Sequence, residues 1–316
     1  CFTLRVEQMR TYTLYWTNFR RYEECPQKFL WYCGWSGYDE GGGNGKPKPK
    51  PEKKSEHHAV MGIVIGNVIE RFYNDELWKN QIELKYRLRK MTEKEYDFIL
   101  SQKYVDFRKS PTRQEMLNIC IDGVLGFLKT LKHNRLLGPY SRSEVKLLAY
   151  VNQYCPVGGR ADIIIRRADT GITILDGKNS LSKGKYTDPD QLKWYALCFF
   201  LSKGVKPDRL GFVYYRYPYG TPIEDSDQVE TGLDLIEWDK DGDDLKALAE
   251  RAVKVSKGIH KEKFAPTPSP SSCKFCDYEK MCGARQDQLK AKREYRKAIK
   301  GETEENDFGG IKDLDF

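Results

Sequence analysis

The chain has 316 residues, of which 39% are hydrophobic and 13% aromatic, so it is long enough to bury a substantial core. A charged fraction of 32% and the lack of any apolar run of about 18 residues argue against a membrane protein. The N-terminus lacks the basic-then-apolar pattern of a signal peptide, which predicts a cytoplasmic location. The formal net charge of +8 is compatible with a nucleic-acid partner but does not demonstrate one.

The first half of the chain is predicted to be mainly helical. Aromatic residues at helical spacing around a proline predict one or two short helices over residues 11–35. Glycine, proline and lysine dominate residues 36–56, which predicts a flexible loop. From residue 58 to residue 134 apolar residues recur at intervals of three and four, as is typical of amphipathic helices.

Strand patterns are concentrated in the middle of the chain. Residues 144–154 predict one strand, and residues 158–180 predict two strands joined by a turn at "ADTG", which is a hairpin. A helical pattern returns at 188–202, and further strands are predicted at 209–218 and 229–238.

The last part of the chain is predicted to be helical again. An amphipathic helix is predicted over 242–260, and a Pro/Ser-rich stretch then leads to a group of cysteines. A basic helix over 288–300 and an acidic tail, predicted to be disordered, follow. This order of elements predicts an α/β fold in which a small mixed sheet is flanked by helices.

The nine cysteines indicate metal binding or catalysis, because disulfides are rare in a reducing cytosol. Cys120 and Cys198 stand among apolar residues and are predicted to be small core residues. Cys273, Cys276 and Cys282 are spaced C-x2-C-x5-C, which offers three ligands to a tetrahedral thiolate site and leaves the fourth to be found.

Two carboxylates and an ammonium group are predicted to meet on the hairpin. Asp162 lies in its first strand, and Asp176 and Lys178 lie at the end of its second strand, where alternation puts both on one side. With the backbone carbonyl of Gly177, the carboxylates would suit Mg²⁺ or Mn²⁺. A plain turn with surface side chains is the alternative on spacing alone.

Two residues of the next predicted helix point to the same site. Gln191 and Tyr195 are four apart, so they share a face of that helix. They would reach the carboxylates, hold the substrate or orient Lys178.

Taken together and in this order, the stretches "GRAD", "ILDGK" and "DQLKWY" resemble the PD-(D/E)XK nuclease superfamily, specifically its RecB-like branch. That branch has a Gly-x-x-Asp strand, an Asp/Glu-x-Lys strand and a Gln-x-x-x-Tyr helix. The matching residues are Gly159 and Asp162, Asp176 and Lys178, and Gln191 and Tyr195.

The resemblance implies a restriction-endonuclease-like core and a Mg²⁺- or Mn²⁺-dependent deoxyribonuclease. It implies a single-strand exonuclease in DNA end processing, such as CRISPR adaptation or recombination and repair, with protein partners in such a complex. Asp162 and Asp176 would hold the metal, and Lys178 would act on the attacking water. Gln191 and Tyr195 would support the site and, with Lys178, contact the nucleic acid.

The sequence departs from the branch at one position. Family members carry a histidine ligand in a Gly-x-x-x-His pattern on an earlier helix, and here Gly62 is followed by Gly66 at the histidine position. Glu70, one turn further on, and Glu144, just before the hairpin, are further candidate metal ligands. The departure leaves an alternative function, a catalytically weak or inactive DNA-binding or scaffold subunit.

The resemblance also implies a fourth cysteine. Nucleases of this branch that carry an iron–sulfur cluster, such as the CRISPR-associated Cas-four exonucleases and the AddB nuclease domain, place one cysteine upstream in a Cys-Pro context and three downstream as C-x2-C-x5-C. Here "ECPQKF" makes Cys25 the partner of Cys273, Cys276 and Cys282, and Cys33 is its rival. Four thiolates suit a [4Fe–4S] cluster or Zn²⁺ alike, and the resemblance favours the cluster.

These expectations define a domain plan. Residues 1–285 are expected to form a single RecB-like nuclease domain, with the basic helix and acidic tail at 286–316. Within it, the plan has the flexible loop at 36–56, a helical part at 58–134, the catalytic sheet and helix at 141–240, and the cysteine segment at 262–285. The cluster would join the N- and C-terminal segments.

Overall fold

The computed structural model divides into two compact units. The central unit comprises Thr13–Trp16 and Glu52–Ser256, and the terminal unit comprises Cys1–Tyr12, Thr17–Pro51 and Lys257–Phe316. The structure describes residues 12–34, 57–103, 105–108, 111–137, 140–184, 187–222, 229–274 and 276–307, with the backbone alone at 221–222 and 296–307. The predicted 36–56 loop and the end of the tail lie outside these residues.

A mixed six-stranded sheet forms the middle of the central unit. Its strands are β1 Leu14–Tyr15, β2 Arg142–Asn152, β3 Cys155–Arg167, β4 Gly171–Lys178, β5 Arg209–Tyr214 and β8 Leu233–Leu235, with β6 Thr221–Pro222 and β7 Val229–Glu230 as a separate pair. Long β3 pairs antiparallel with β2 along one edge, and its other edge pairs with β1 near its start and with β4 near its end. β5 then runs parallel to β4 and pairs with β8.

Helices cover both faces of this sheet. On the side that carries Ile163, Leu175 and Val213, three helices share a buried apolar core with the sheet, and the middle one in chain order packs against the other two. A fourth helix lies on the opposite face, where the Trp194 indole donates a hydrogen bond to the Gly158 carbonyl at 2.9 Å. The helices are α3 His57–Asn74, α4 Leu84–Gln102 and α5 Arg113–His133 on the first face, α6 Pro189–Lys203 on the second, and α7 Asp244–His260.

The start of α5 is fixed by a capping box. The Thr112 hydroxyl accepts a hydrogen bond from the Glu115 amide, and the Glu115 carboxylate accepts one from the Thr112 amide. We expect Thr112→Ala to lower the free energy of unfolding by about 1 kcal/mol, because it leaves a helix amide without its acceptor. Denaturant unfolding measures this, and Thr112→Ser should retain most of the stability. An alanine variant as stable as the wild type would contradict the role of the cap.

The terminal unit contains described segments from the N-terminal and C-terminal parts of the chain. Its helices include α1 Trp16–Glu24, α2 Pro26–Cys33, α8 Pro270–Lys274 and α9 Gly283–Asp307. Phe29 stacks on Phe264 with ring centroids 6.1 Å apart, and the Tyr32 hydroxyl donates to Asp277 at 2.8 Å. The Tyr278 hydroxyl donates to the Trp31 carbonyl at 3.2 Å, so the aromatic residues of α2 pack within this unit.

The predicted order of helices and strands is confirmed, with four differences. The strand predicted to end at 218 stops at Tyr214, where a turn begins, and the one predicted for 229–238 is two short strands. α9 continues to Asp307 through acidic residues that were assigned to the tail. Short β1 was missed, because two residues carry no period. Among the described helices, none is both long and apolar enough to cross a bilayer.

Candidate active site

The predicted carboxylates lie where β3 and β4 separate. The antiparallel ladder between these strands ends at the pair Ile163 and Leu175. Two residues beyond Leu175, the Gly177 amide donates to the Asp162 carboxylate at 2.8 Å instead of to a strand carbonyl. A side chain thus replaces the ladder at this point, and it brings Asp162 next to the end of β4.

A hydrogen-bond network joins four of the predicted residues. Asp176 is buried, and its Oδ2 lies 2.6 Å from the Lys178 ammonium. Gln191 accepts from Lys178 at 3.1 Å and donates from Nε2 to Asp176 at 2.7 Å and to the Tyr195 hydroxyl at 3.0 Å. The amide of Gln191 therefore fixes the acid, the base and the phenol in one arrangement.

Two glycines permit this close packing. A Cβ at Gly159 would lie 3.0 Å from the Tyr195 ring, so the first motif leaves room for the helix residue of the third. A Cβ at Gly177 would lie 1.5 Å from the Tyr215 hydroxyl, a distance that no side chain can accept. The missing side chain at Gly177 is thus a packing requirement, since a buried tyrosine occupies its place.

The Gly177 carbonyl lies on the same edge of β4 as the Gly177 amide. Within a strand, the N–H and C=O of one residue point to the same edge. Because the Gly177 N–H bonds to Asp162 beyond the end of the ladder, its carbonyl faces the same gap between the strands. Asp162, Asp176 and this carbonyl are hard oxygen donors of the kind that Mg²⁺ and Mn²⁺ prefer.

Burial disfavours the ionised form of both carboxyls at this site. It raises the pKa of Asp162 to about 8, with the charge of Asp176 adding to the effect and the Gly177 amide partly offsetting it. Burial also raises the pKa of Asp176, against the opposing influence of Lys178. Without a cation, one of the two carboxyls therefore holds a proton near neutral pH.

This coupling predicts a pH-dependent stability of the metal-free protein. In the unfolded chain Asp162 is ionised above about pH 4, whereas the folded chain keeps its proton up to about pH 8. The folded state binds more protons in this window, so the free energy of unfolding falls as the pH rises through it. A divalent cation needs the ionised carboxyls, so Mn²⁺ should raise the melting temperature more at about pH 8 than at about pH 6.

Thermal melts with Mn²⁺ and with a chelator, across this range, test the expectation. Asp162→Asn cannot ionise, so it should flatten the pH dependence of the metal-free protein and lose most of the Mn²⁺ effect. An equal Mn²⁺ shift at both pH values would contradict the proposed proton release.

The two further candidate ligands, Glu70 and Glu144, line a cavity together with Asp162, but both have Arg160 as a neighbour. A cavity of about 340 Å³ is lined by Asp162, Glu70, Glu144 and Gly66. Glu144 stands opposite Asp162 in the β2–β3 register, has left-handed backbone geometry with φ of 52°, and pairs with Arg160. Arg160 also lies 3.9 Å from Glu70. To bind a metal, either glutamate would have to leave this arginine.

Gly66 leaves open the space of the expected histidine. A Cβ built there meets no other atom within 4 Å, and the residue lines the cavity that Asp162 lines. Across the residues that the structure describes, no group of three or more His, Cys, Asp and Glu side chains is arranged to hold a metal. A cation here would therefore rely on two aspartates, a carbonyl and the substrate.

The four cysteines named for a cluster line one cavity of the terminal unit. Cys25, Cys273, Cys276 and Cys282 surround it together with Lys28 and Arg285. The Thr267 amide donates to the Cys25 sulfur at 3.4 Å, and Cys25 immediately precedes Pro26 at the start of α2. Burial is the largest of the effects that raise the pKa of the Cys276 thiol.

Cys33 stands apart from this cavity. Its sulfur contacts the Asn18 side chain at 3.3 Å at the other end of α2, and it is not among the residues that line the cavity. Cys120 and Cys198 are buried in the core, as the sequence predicts. None of the eight cysteines that the structure describes is in a disulfide.

Sequence reasoning missed two residues of the site. Tyr215 fills the space behind Gly177, and its amide donates to the Lys178 carbonyl at 3.0 Å. Arg160, inside the first motif, pairs with both glutamates. The register of β5 against β4 would have revealed Tyr215, but a single sequence does not contain it. Arg160 could have been noticed as a charge beside the Gly-x-x-Asp pattern.

Comparisons with known proteins give these residues a context. A family model of the PD-(D/E)XK nuclease superfamily matches residues 16–283. The Gene 69 protein of Mycobacterium phage D29 is 27% identical over 124 residues, which cover 38% of this chain and 43% of the phage protein. The chain thus matches less than half the length of that relative. The crystal structure of SSO0001 is 18% identical and covers 75% of this chain and 89% of that chain, with a TM-score of 0.32.

The family match includes every residue of the hairpin and helix motifs, as well as the segments that carry the four thiols. The mixed sheet flanked by helices is consistent with a restriction-endonuclease-like fold. Because the family model spans most of the sequence, this chain belongs to the PD-(D/E)XK nuclease superfamily.

Proposed function

We propose that this protein is a Mg²⁺- or Mn²⁺-dependent deoxyribonuclease of the RecB-like branch that degrades single-stranded DNA from its ends. The observation that carries the proposal is the network in which Gln191 joins buried Asp176, Lys178 and Tyr195, next to Asp162. A binding surface alone gains nothing from two carboxyls that resist ionisation side by side. Such groups become favourable when a cation binds between them.

The donor set fits a divalent metal. Asp162 and Asp176 would hold it, with the Gly177 carbonyl directed to the same gap between the strands. In that position the residues would hold an ion that, when bound, would supply Lewis-acid chemistry to the phosphoryl oxygen and to the attacking water. With Gly66 in place of the family histidine, this metal would have fewer protein ligands than in its relatives, so Mn²⁺ is the preferred ion for a first assay.

Of the remaining residues, Lys178 would act on the substrate and water, and Gln191 and Tyr195 would hold it in position. The Lys178 ammonium would orient the attacking water and offset the charge that develops on the phosphate. Gln191 holds that ammonium and Asp176 at once, so it would preserve their spacing during the reaction. Tyr195 is buried, and its hydroxyl supports Gln191 from behind.

A [4Fe–4S] cluster is the second part of the proposal. The four cysteines that line one cavity supply the number and type of ligands that such a cluster needs, although the described side chains are not arranged to hold a metal in this structure. An amide that donates to the Cys25 sulfur is the kind of contact that stabilises cluster sulfurs. The cluster would join α2 to the segment after Ser272, both within the terminal unit. Its expected role is structural.

Digestion of labelled DNA tests the nuclease. We expect anaerobically purified protein with Mn²⁺ to shorten a linear single strand labelled at one end, and to leave it intact in a chelator. A circular single strand should persist, since an exonuclease needs an end. A duplex without overhangs should be degraded more slowly.

The outcomes separate the alternatives. Cleavage of the circular strand would show that the enzyme is an endonuclease and not an exonuclease. DNA binding without cleavage in any metal would favour the alternative, a DNA-binding subunit of a larger processing complex. If the linear strand is degraded, a cytoplasmic role in CRISPR adaptation or in recombination and repair becomes the next proposal to examine with its protein partners.

A further inference from the structure

A second cavity of about 550 Å³ lies in the central unit, bordered by α5 and by the turn that follows β5. Tyr215 lines both this cavity and the one that contains Asp162, so the two adjoin across a single side chain. We call the second cavity the α5 groove and define it by its basic and aromatic residues: Lys85, Lys129, Lys132, Arg216, Tyr217 and Tyr219.

The α5 groove carries excess positive charge. Among the residues that the structure describes, four cationic side chains and one acidic side chain, Asp122, line it, which leaves a balance of three positive charges. Within the described part of the chain, Lys85, Lys129 and Arg216 form no ion pair with a carboxylate. Arg216 is half-buried, and burial lowers the pKa of its guanidinium, so an anion in the groove would offset the cost of its position.

Two tyrosines add ring surfaces to this charge. The Tyr219 hydroxyl contacts His133 Nδ1 at 3.2 Å, and the Lys129 ammonium lies 5.7 Å from the centre of its ring, which is 37% exposed. Tyr217 is held through its hydroxyl by Glu230, with the Lys183 ammonium 4.8 Å from its ring. Rings fixed at their polar ends beside cations form a surface on which nucleic-acid bases stack.

The chain connects the groove to the catalytic residues. β4 and β5 are parallel, so their carboxyl ends lie at the same edge of the sheet. Lys178 ends β4, and the turn that carries Arg216, Tyr217 and Tyr219 begins directly after β5. A DNA strand that leaves the Asp162 cavity past Tyr215 would therefore enter the α5 groove.

We propose that the α5 groove binds the single-stranded DNA substrate next to the scissile phosphate, with Lys129, Lys132 and Arg216 on phosphates and Tyr217 and Tyr219 against bases. This inference rests on the proposed nuclease function and assigns it a substrate path. Unstacked bases are needed for contact with the rings, so a single strand is preferred to a duplex.

Binding measured without metal tests the groove separately from catalysis. Fluorescence anisotropy in a chelator would compare the wild type with a triple variant, Lys129→Gln, Lys132→Gln and Arg216→Gln. The matched control carries Lys203→Gln, Lys246→Gln and Lys254→Gln, which remove the same charge from exposed positions elsewhere on the central unit. Circular dichroism would verify that both variants are folded.

We expect the groove variant to bind a labelled oligothymidylate about 30-fold more weakly, and the salt dependence of log K to lose a slope of about 2, from three contacts of about 0.7 each. The control variant should bind like the wild type apart from a small uniform charge effect. Tyr219→Ala should weaken binding about 10-fold, and Tyr219→Trp should retain it.

Several results would overturn the assignment. They are equal losses in the groove and control variants, no loss in either, no single-strand binding by the wild type in chelator, or tighter binding of a blunt duplex. The nuclease proposal has a separate readout, since binding that fits the groove together with absent Mn²⁺-dependent cleavage would reject catalysis and leave the groove in place.

Discussion

Lys178→Ala is expected to reduce cleavage of single-stranded DNA about a thousand-fold, while Mn²⁺ still stabilises the protein. The ammonium of Lys178 lies 2.6 Å from Asp176 and donates to Gln191, so it is the one cation held at the carboxyl pair within the described residues. Removing a group that stabilises developing charge costs roughly 10²–10⁴ in rate. Initial rates on an end-labelled strand at saturating Mn²⁺ measure the effect.

Two further variants distinguish chemistry from packing. Lys178→Met keeps the length of the side chain beside the Phe212 ring, which lies 5.4 Å from the ammonium, so it should fold well and remain inactive. Lys193 lies on α6, the helix that carries Gln191, and pairs with Asp244 of α7. Lys193→Ala removes this ion pair, and the activity of the variant should stay within about two-fold of the wild type. Full activity in either Lys178 variant would remove this residue from the proposed mechanism.

Cys25→Ser is expected to abolish the iron–sulfur cluster and to lower the free energy of unfolding by about 4 kcal/mol or more, because a cluster bound only by the folded chain contributes its binding energy to stability. The wild type, purified without oxygen, should be brown, absorb near ~400 nm and contain about four iron atoms per chain. Absorbance, iron analysis and thermal melts report these properties.

Cys33→Ser is the matched control, since Cys33 lies at the end of the same helix and does not line the thiol cavity. It should keep the colour and the iron. A colourless wild type with one zinc per chain would show a structural zinc site instead of the cluster. Loss of iron in Cys33→Ser but not in Cys25→Ser would make Cys33, and not Cys25, the fourth ligand.

Local sequence rules account for the parts of the site that depend on neighbours in the chain. Strand alternation places Asp176 and Lys178 on one side, and helix periodicity places Gln191 and Tyr195 on one face. The structure has both pairs in one network. These relations depend on spacings of two and four residues, so they hold whatever the rest of the fold does.

Contacts between distant parts of the chain needed the structure. The ladder between β3 and β4 ends after Leu175, and this end, rather than the spacing of the motifs, brings Asp162 to the Gly177 amide. Glu70 and Glu144 were candidate ligands because one follows Gly66 by a helical turn and the other lies just before the hairpin. The structure gives both of them Arg160 as a neighbour, Glu144 from the adjacent strand and Glu70 from α3, and no local pattern contains either contact.

The sequence by itself determined the superfamily and the order of helices and strands, and it named the side chains that we propose for catalysis, because each of these depends on short spacings and apolar periods. Only the tertiary structure decided that Tyr215 takes the place of a side chain at Gly177, that Cys25 rather than Cys33 lines the thiol cavity, and that a basic, aromatic groove adjoins the carboxyls. The physical reason is that strand register and helix packing are set by burial summed over the whole core, and residues far apart in the chain become neighbours only when that core forms.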